Sequence, residues 1–98
     1  MEINKVTNGS TLNLEISGRV DTSTAPHLET EVKESIDGIT KLVFDFAGVE
    51  YISSAGLRVL LSAQKTMNKQ GEMIVKNCSE DILEIFEVTG FTDILTIK

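Results

Sequence analysis

The chain has 98 residues, 41% of them hydrophobic, which is enough for one core and one small domain over residues 1–98. Fifteen acidic against nine basic side chains give a formal net charge of −6. That balance argues against nucleic acid and against an anionic membrane surface, and it fits a protein partner that is basic where the two meet.

No apolar run approaches the roughly 20 residues that span a bilayer, and Met1-Glu2-Ile3-Asn4-Lys5 lacks the charged-then-apolar pattern of a signal peptide. Cys78 is the only cysteine, so no internal disulfide can form, as suits a reducing compartment. The expectation is a soluble cytoplasmic protein.

In chain order, Ile3 to Val6 and Leu12 to Ile16 alternate apolar and polar residues as half-buried strands do. Asn8-Gly9-Ser10 between them predicts a hairpin, and Gly18 is expected to end the second strand. Asp21 to Thr24 offer capping side chains for a helix whose first turn holds Pro26. Leu28, Val32 and Ile36 form its inner face and Gly38 its stop. Leu42 to Phe46 reads as a central strand covered on at least one face.

A second helix runs from about Ser54 to Lys69, with Leu57, Leu60, Leu61, Gln64 and Met67 inward and Gly71 as stop. Met73 to Val75 is a short strand. Ser79 caps a third helix that has Glu80 and Asp81 in its first turn and Ile82, Ile85 and Phe86 on its core face. Gly90 ends that helix, and Ile94 to Ile97 is expected to close the fold as a last strand. The order β-β-α-β-α-β-α-β predicts an α/β domain with a mixed, mostly parallel sheet of four to five strands and packed helices.

No catalytic constellation emerges. His27 is the only histidine, there is no G-x-S-x-G elbow, and no metal-ligand cluster, P-loop or dinucleotide-binding loop is present. The chain is therefore expected to be neither an enzyme nor a carrier of metal or cofactor. What stands out is Ser53-Ser54, where a buried strand region gives way to an amphipathic helix. A hydroxyl there can cap the helix, act as a nucleophile or accept a phosphate. The nucleophile lacks a base, which leaves capping and phosphate acceptance.

Gly56 in the first turn costs roughly 1 kcal/mol against alanine, so it either admits another surface or eases packing. At 100° per residue, Ser54, Arg58, Ser62, Lys65 and Lys69 fall on one line, with Ala55, Val59 and Thr66 beside it. That line is either a solvated face or a docking surface. Asp21 and Ser54 both follow strand ends, so they are expected at one edge, with Asp21 a docking residue or a local turn residue.

Gly18-Arg19-Val20-Asp21, then Thr24, then Asp45 through Leu57, a late Gly-Glu-Met-Ile-Val strand and the Phe86…Thr89-Gly90-Phe91 ending together resemble a bacterial STAS domain of the anti-sigma-factor antagonist type, over nearly the whole chain. The resemblance implies partner switching in the control of transcription. Such a protein binds an anti-sigma factor that is itself a serine kinase, is phosphorylated by it at the serine matching Ser54, and is restored by a PP2C-type phosphatase. Ser53, where the family often has aspartate, is the second candidate acceptor. Asp21, Thr24, Ser53, Ala55, Gly56, Arg58 and Val59 are the partner-binding residues that the resemblance and the stripe imply. The alternative is an accessory subunit of a transporter or signalling complex that docks without phosphorylation.

Overall fold

The computed structural model covers residues 1–98. Strands β1 (Glu2–Asn8) and β2 (Thr11–Val20) form the hairpin, joined at Gly9, whose φ of 62° is the left-handed value a tight turn requires. β3 (Lys41–Ile52) and β4 (Glu72–Lys76) follow, and the sheet order is β1-β2-β3-β4. β1 is antiparallel to β2, while β2, β3 and β4 run parallel.

The parallel pairs require crossovers, supplied by helices α1 (Ala25–Ser35) and α2 (Ser54–Gln70). Both crossovers step in the same direction along the sheet, so right-handedness puts both helices on one face. α3 (Glu80–Val88) follows β4. The covered face carries Leu12, Leu14 and Ile16 of β2, Leu42, Phe44 and Phe46 of β3, and Met73 and Val75 of β4, all buried. They pack with Leu28 and Val32 of α1, Leu57, Leu60 and Met67 of α2, and Ile82 and Phe86 of α3 in one continuous cluster. The opposite face is open, carrying Asn4, Glu15, Asp45 and Lys76.

The loops fix how these elements meet. Gln70 at the end of α2 donates its amide to the carbonyls of Ile36 (2.9 Å) and Ile39 (2.7 Å), satisfying backbone acceptors just beyond α1. β4 pairs only as far as Asp45, so α3 rather than a strand lies beside the second half of β3. The rings of Phe46, Phe86 and Phe91 anchor it, with centroids 6.4 and 6.5 Å apart in sequence.

Three expectations need correction. Gly18 does not end β2: at φ 89° it sits inside the strand beside a register shift, and β2 continues to Val20. β3 runs six residues past Phe46, because two register shifts against β2 let it bulge and continue to Ile52. The last strand is reduced to one parallel bridge, Val75 to Ile97. A 3₁₀ turn at Phe91–Asp93 comes first, and the Phe91 carbonyl accepts from the amides of both Ile94 and Leu95, removing those residues from any ladder.

Candidate functional site

The parallel register of β2 and β3 pairs Val20 with Ile52, so the two strands end side by side. The Ser53 amide continues that ladder by donating to the Val20 carbonyl at 2.8 Å. Hence the loop at Asp21 and the start of α2 are joined at one sheet edge, as expected from the sequence.

The two serines divide their tasks. Ser53, in extended conformation, is the N-cap, and its Oγ accepts from the Gly56 amide at 3.4 Å. Ser54 is the first helical residue and is exposed. Gly56 is buried. A Cβ on it would lie 2.7 Å from Ile52 Cγ1, 2.8 Å from Val20 Cγ1 and 3.2 Å from the Val20 carbonyl oxygen. The surface that Gly56 admits is therefore the chain's own, and Gly56 is removed from the contact residues on that account. Val59 is only 4% exposed, packed in the core beside α1, so it too contributes almost nothing to an outer face.

Asp21 folds its own loop. Its Oδ1 accepts from the Ser23 amide (3.0 Å), the Ser23 hydroxyl (2.7 Å) and the Thr24 amide (3.2 Å). The Ser23 hydroxyl is the main cause that holds the Asp21 carboxyl below the usual carboxylate range; the Ser23 and Thr24 amides and the Thr24 hydroxyl assist, and slight desolvation opposes them. Thr24 is half-buried. Its hydroxyl donates to the Arg19 carbonyl (2.9 Å) and accepts from the Asp21 amide (2.8 Å), so it braces the loop from inside. It stands at the N-cap of α1 without making the side-chain cap expected of it.

Ala55 and Arg58 line a hollow between the starts of α1 and α2, opposite Thr22, Ala25, Pro26 and Glu29. Ser54, Arg58, Ser62, Lys65 and Lys69 are all exposed, so the projected stripe exists as a surface. The structure thus brings together Asp21, Ser53, Ser54, Ala55 and Arg58, while Thr24, Gly56 and Val59 lie behind them.

Arg19 and Tyr51 belong to the segments that carry the family resemblance, but sequence reasoning gave neither a role of its own. They are register partners across β2 and β3, with the guanidinium 4.4 Å from the ring centroid and its Nε 3.7 Å from Asp21 Oδ2. Only the bulges put them opposite one another, and no periodicity in the sequence reveals a bulge.

The remaining chemically able residues lie elsewhere. His27 is exposed on α1. Burial pushes the Cys78 thiol up to about 11, so almost none of it is thiolate at neutral pH. Asp45 is partly desolvated, which opposes ionisation, yet the Asn77 amide (3.1 Å), the Ala47 amide (3.0 Å) and the charge of Lys76 outweigh that and leave it below the usual range. No three His, Cys, Asp or Glu side chains stand together as a metal site would require. No helix is long and apolar enough to cross a membrane.

A family model described as the STAS domain matches residues 2–98. The chain is 35% identical to the anti-sigma-B factor antagonist of Listeria monocytogenes over 86 residues, covering 85% of this chain and 75% of that protein. Among solved structures, an anti-sigma factor antagonist from Mycobacterium paratuberculosis superimposes with a TM-score of 0.89 at 23% identity, covering 98% of this chain and 83% of that one. The Bacillus cell fate determinant SpoIIAA in its phosphorylated form gives a TM-score of 0.78 at 15% identity, covering 99% and 91%. The structures share the fold; the family model and the Listeria relative, which follow nearly the whole chain, share its sequence as well, and the protein belongs to the STAS domain family.

Proposed function

We propose that this chain is an anti-sigma-factor antagonist of the bacterial cytoplasm, a binding module and not an enzyme. Its 98 residues act as one STAS domain that docks on a serine-kinase anti-sigma factor through the edge formed by Asp21, Ser53, Ser54, Ala55 and Arg58. The kinase phosphorylates Ser54 and the complex dissolves; a PP2C-type phosphatase restores the hydroxyl.

The observation that carries this reading is the division of labour between the serines. Ser53 is held as the cap, while Ser54 is exposed at the first position of α2, free of any structural bond. A phosphate on Ser54 adds about −1.5 to −2 charges and three acceptor oxygens. The free amides and positive end of α2 tolerate it, and Arg58 stands one turn further along the same face. The fold keeps its bonds, whereas a partner surface fitted to a neutral hydroxyl must now bury a dianion, which is costly without counter-charges.

The test is to mix the purified chain with its cognate kinase and ATP and to locate phosphate by mass spectrometry. Phosphate on Ser54 is expected; its absence from both Ser54 and Ser53 refutes the regulatory reading. Ser54→Asp is expected to melt like the wild type and to lose kinase binding, and unchanged affinity refutes the mechanism.

A further inference from the structure

The outward track of α2 extends well beyond the residues assigned above. α2 carries three cations, Arg58, Lys65 and Lys69, and no carboxylate in its 17 residues, so the rest of the chain carries −9 for the whole to reach −6. None of the three is in an ion pair, whereas four of the six cations elsewhere are: Lys5 with Glu31, Arg19 with Asp21, Lys33 with Glu29, and Lys41 with Glu72. The α1 carboxylate that faces α2, Glu29, is held by Lys33 at 2.8 Å. The favourable field at a helix C-terminus accounts for Lys69 in the last turn but not for Arg58 near the start.

The track also borders a concave feature. The hollow at Ala55 and Arg58 shares Glu29 and Val59 with a second hollow further down, which Ser62 and Thr66 line from α2. The two make one groove between α1 and α2, lined from the track by Arg58 and Ser62, while Lys65 and Lys69 stand outside it on the exposed face of the helix.

We propose that this groove and the Arg58–Lys65–Lys69 track receive an acidic segment of the kinase partner, with carboxylates against the α2 cations and small apolar side chains in the groove. This deepens the proposed function and rests on it. The net charge of the chain points to a basic partner, but at this one helix the local sign is reversed, and complementarity is set by the contacting patch. A protein is favoured over an anionic lipid surface because the net −9 of the surrounding chain repels an extended negative plane. The segment's carboxylate at Arg58 and the phosphate on Ser54 would then compete for one cation, so that phosphorylation removes an attraction as well as adding an obstruction.

The test is Lys65→Glu/Lys69→Glu, two exposed changes outside the phosphorylation edge, with an unchanged thermal melt as the folding control. Association of the purified cognate kinase with wild type and variant is followed by surface plasmon resonance, with a non-hydrolysable ATP analogue and salt from about 20 to 500 mM. The variant is expected to associate about tenfold more slowly at low salt and to converge on wild type at high salt. Equal rates and equal salt slopes overturn the inference while leaving the proposed function intact. A wild type that forms no kinase complex at all removes both. Wild-type binding to phosphatidylserine vesicles at about 150 mM salt, lost in the variant, overturns it in favour of a lipid surface.

Discussion

Gly56→Ala isolates the contact that brings α2 against the end of β2. In an open helix the change would stabilise by about 1 kcal/mol, the difference in helix propensity. Here the new methyl meets Ile52 Cγ1 at 2.7 Å and Val20 Cγ1 at 2.8 Å, closer than carbon atoms pack. Neither neighbour is the loose end of a flexible chain: both are β-branched, Val20 is 0% and Ile52 2% exposed, and each has one strongly preferred rotamer or little choice of another. The Val20 carbonyl oxygen, 3.2 Å from the same methyl, is already the acceptor for the Ser53 amide.

Relief therefore requires the start of α2 to lift away from the sheet. Overpacking of this kind costs about 1–3 kcal/mol, with the upper half more fitting where two rigid side chains and a backbone oxygen are involved. Set against the propensity gain, the net loss is about 1–2 kcal/mol, which for a domain of this size lowers Tm by roughly 4–16 °C. Urea unfolding followed by circular dichroism, with a thermal melt alongside, measures it. A variant as stable as the wild type or more so refutes the argument, since propensity would then have won and the approach at Gly56 would not be tight.

Other consequences are separable. Ser53→Ala is expected to cost about 0.5–1 kcal/mol, the lower part of the range for a lost cap because the bond is long, while Ser54→Ala should fall within about 0.5 kcal/mol of wild type; paired urea titrations distinguish them. Asp45 and Asp21 both have carboxyls depressed by their hydrogen bonds, so each contributes stability that is complete above the unfolded-state carboxylate range and is lost as pH falls through the folded value. Unfolding titrations from pH 7 down to about 2.5 should show the gap between wild type and Asp21→Asn/Asp45→Asn narrowing below pH ~4, and a constant gap counts against it. Cys78, with its thiol pushed up to about 11 by burial, should react with Ellman's reagent at pH 7.5 far more slowly in the folded protein than in urea. Equal rates contradict the burial.

The helices and the mixed, mostly parallel character of the sheet were readable because their signals are periodic and local. Leu28, Val32 and Ile36 recur at helical spacing and are buried, and Ser79 does accept the Ile82 amide as an N-cap (3.3 Å). The lower halves of β2 and β3 were readable for the same reason. Their upper halves were not, because bulges break the two-residue period between Glu15 and Ser17 and again at Gly18. Ile94 to Ile97 has strand composition, but the Phe91 carbonyl takes two of its amides in a turn, and composition carries no information about that competition. At the candidate site, the placement of Asp21 beside Ser53 and Ser54, and of Arg58 on the exposed face below Ser54, followed from strand ends and helix geometry. The inward roles of Thr24, Gly56 and Val59 did not, since what lies behind a surface residue depends on the element packed against it.

α2 is fastened at both ends. Its first residue follows the Ser53–Val20 bond, and just past its last turn the Gly71 amide returns to the Met67 carbonyl at 2.7 Å while the Glu72 amide binds the Thr40 carbonyl at 2.9 Å. A helix pinned in this way has no slack through which a chemical mark at its start could be relayed as motion to a distant site. On the function proposed above, whatever reads Ser54 must then touch it: the domain would store one bit of information in charge alone, erasable without refolding, and every variant that changes the reading while sparing the fold should map within a partner's footprint around that residue.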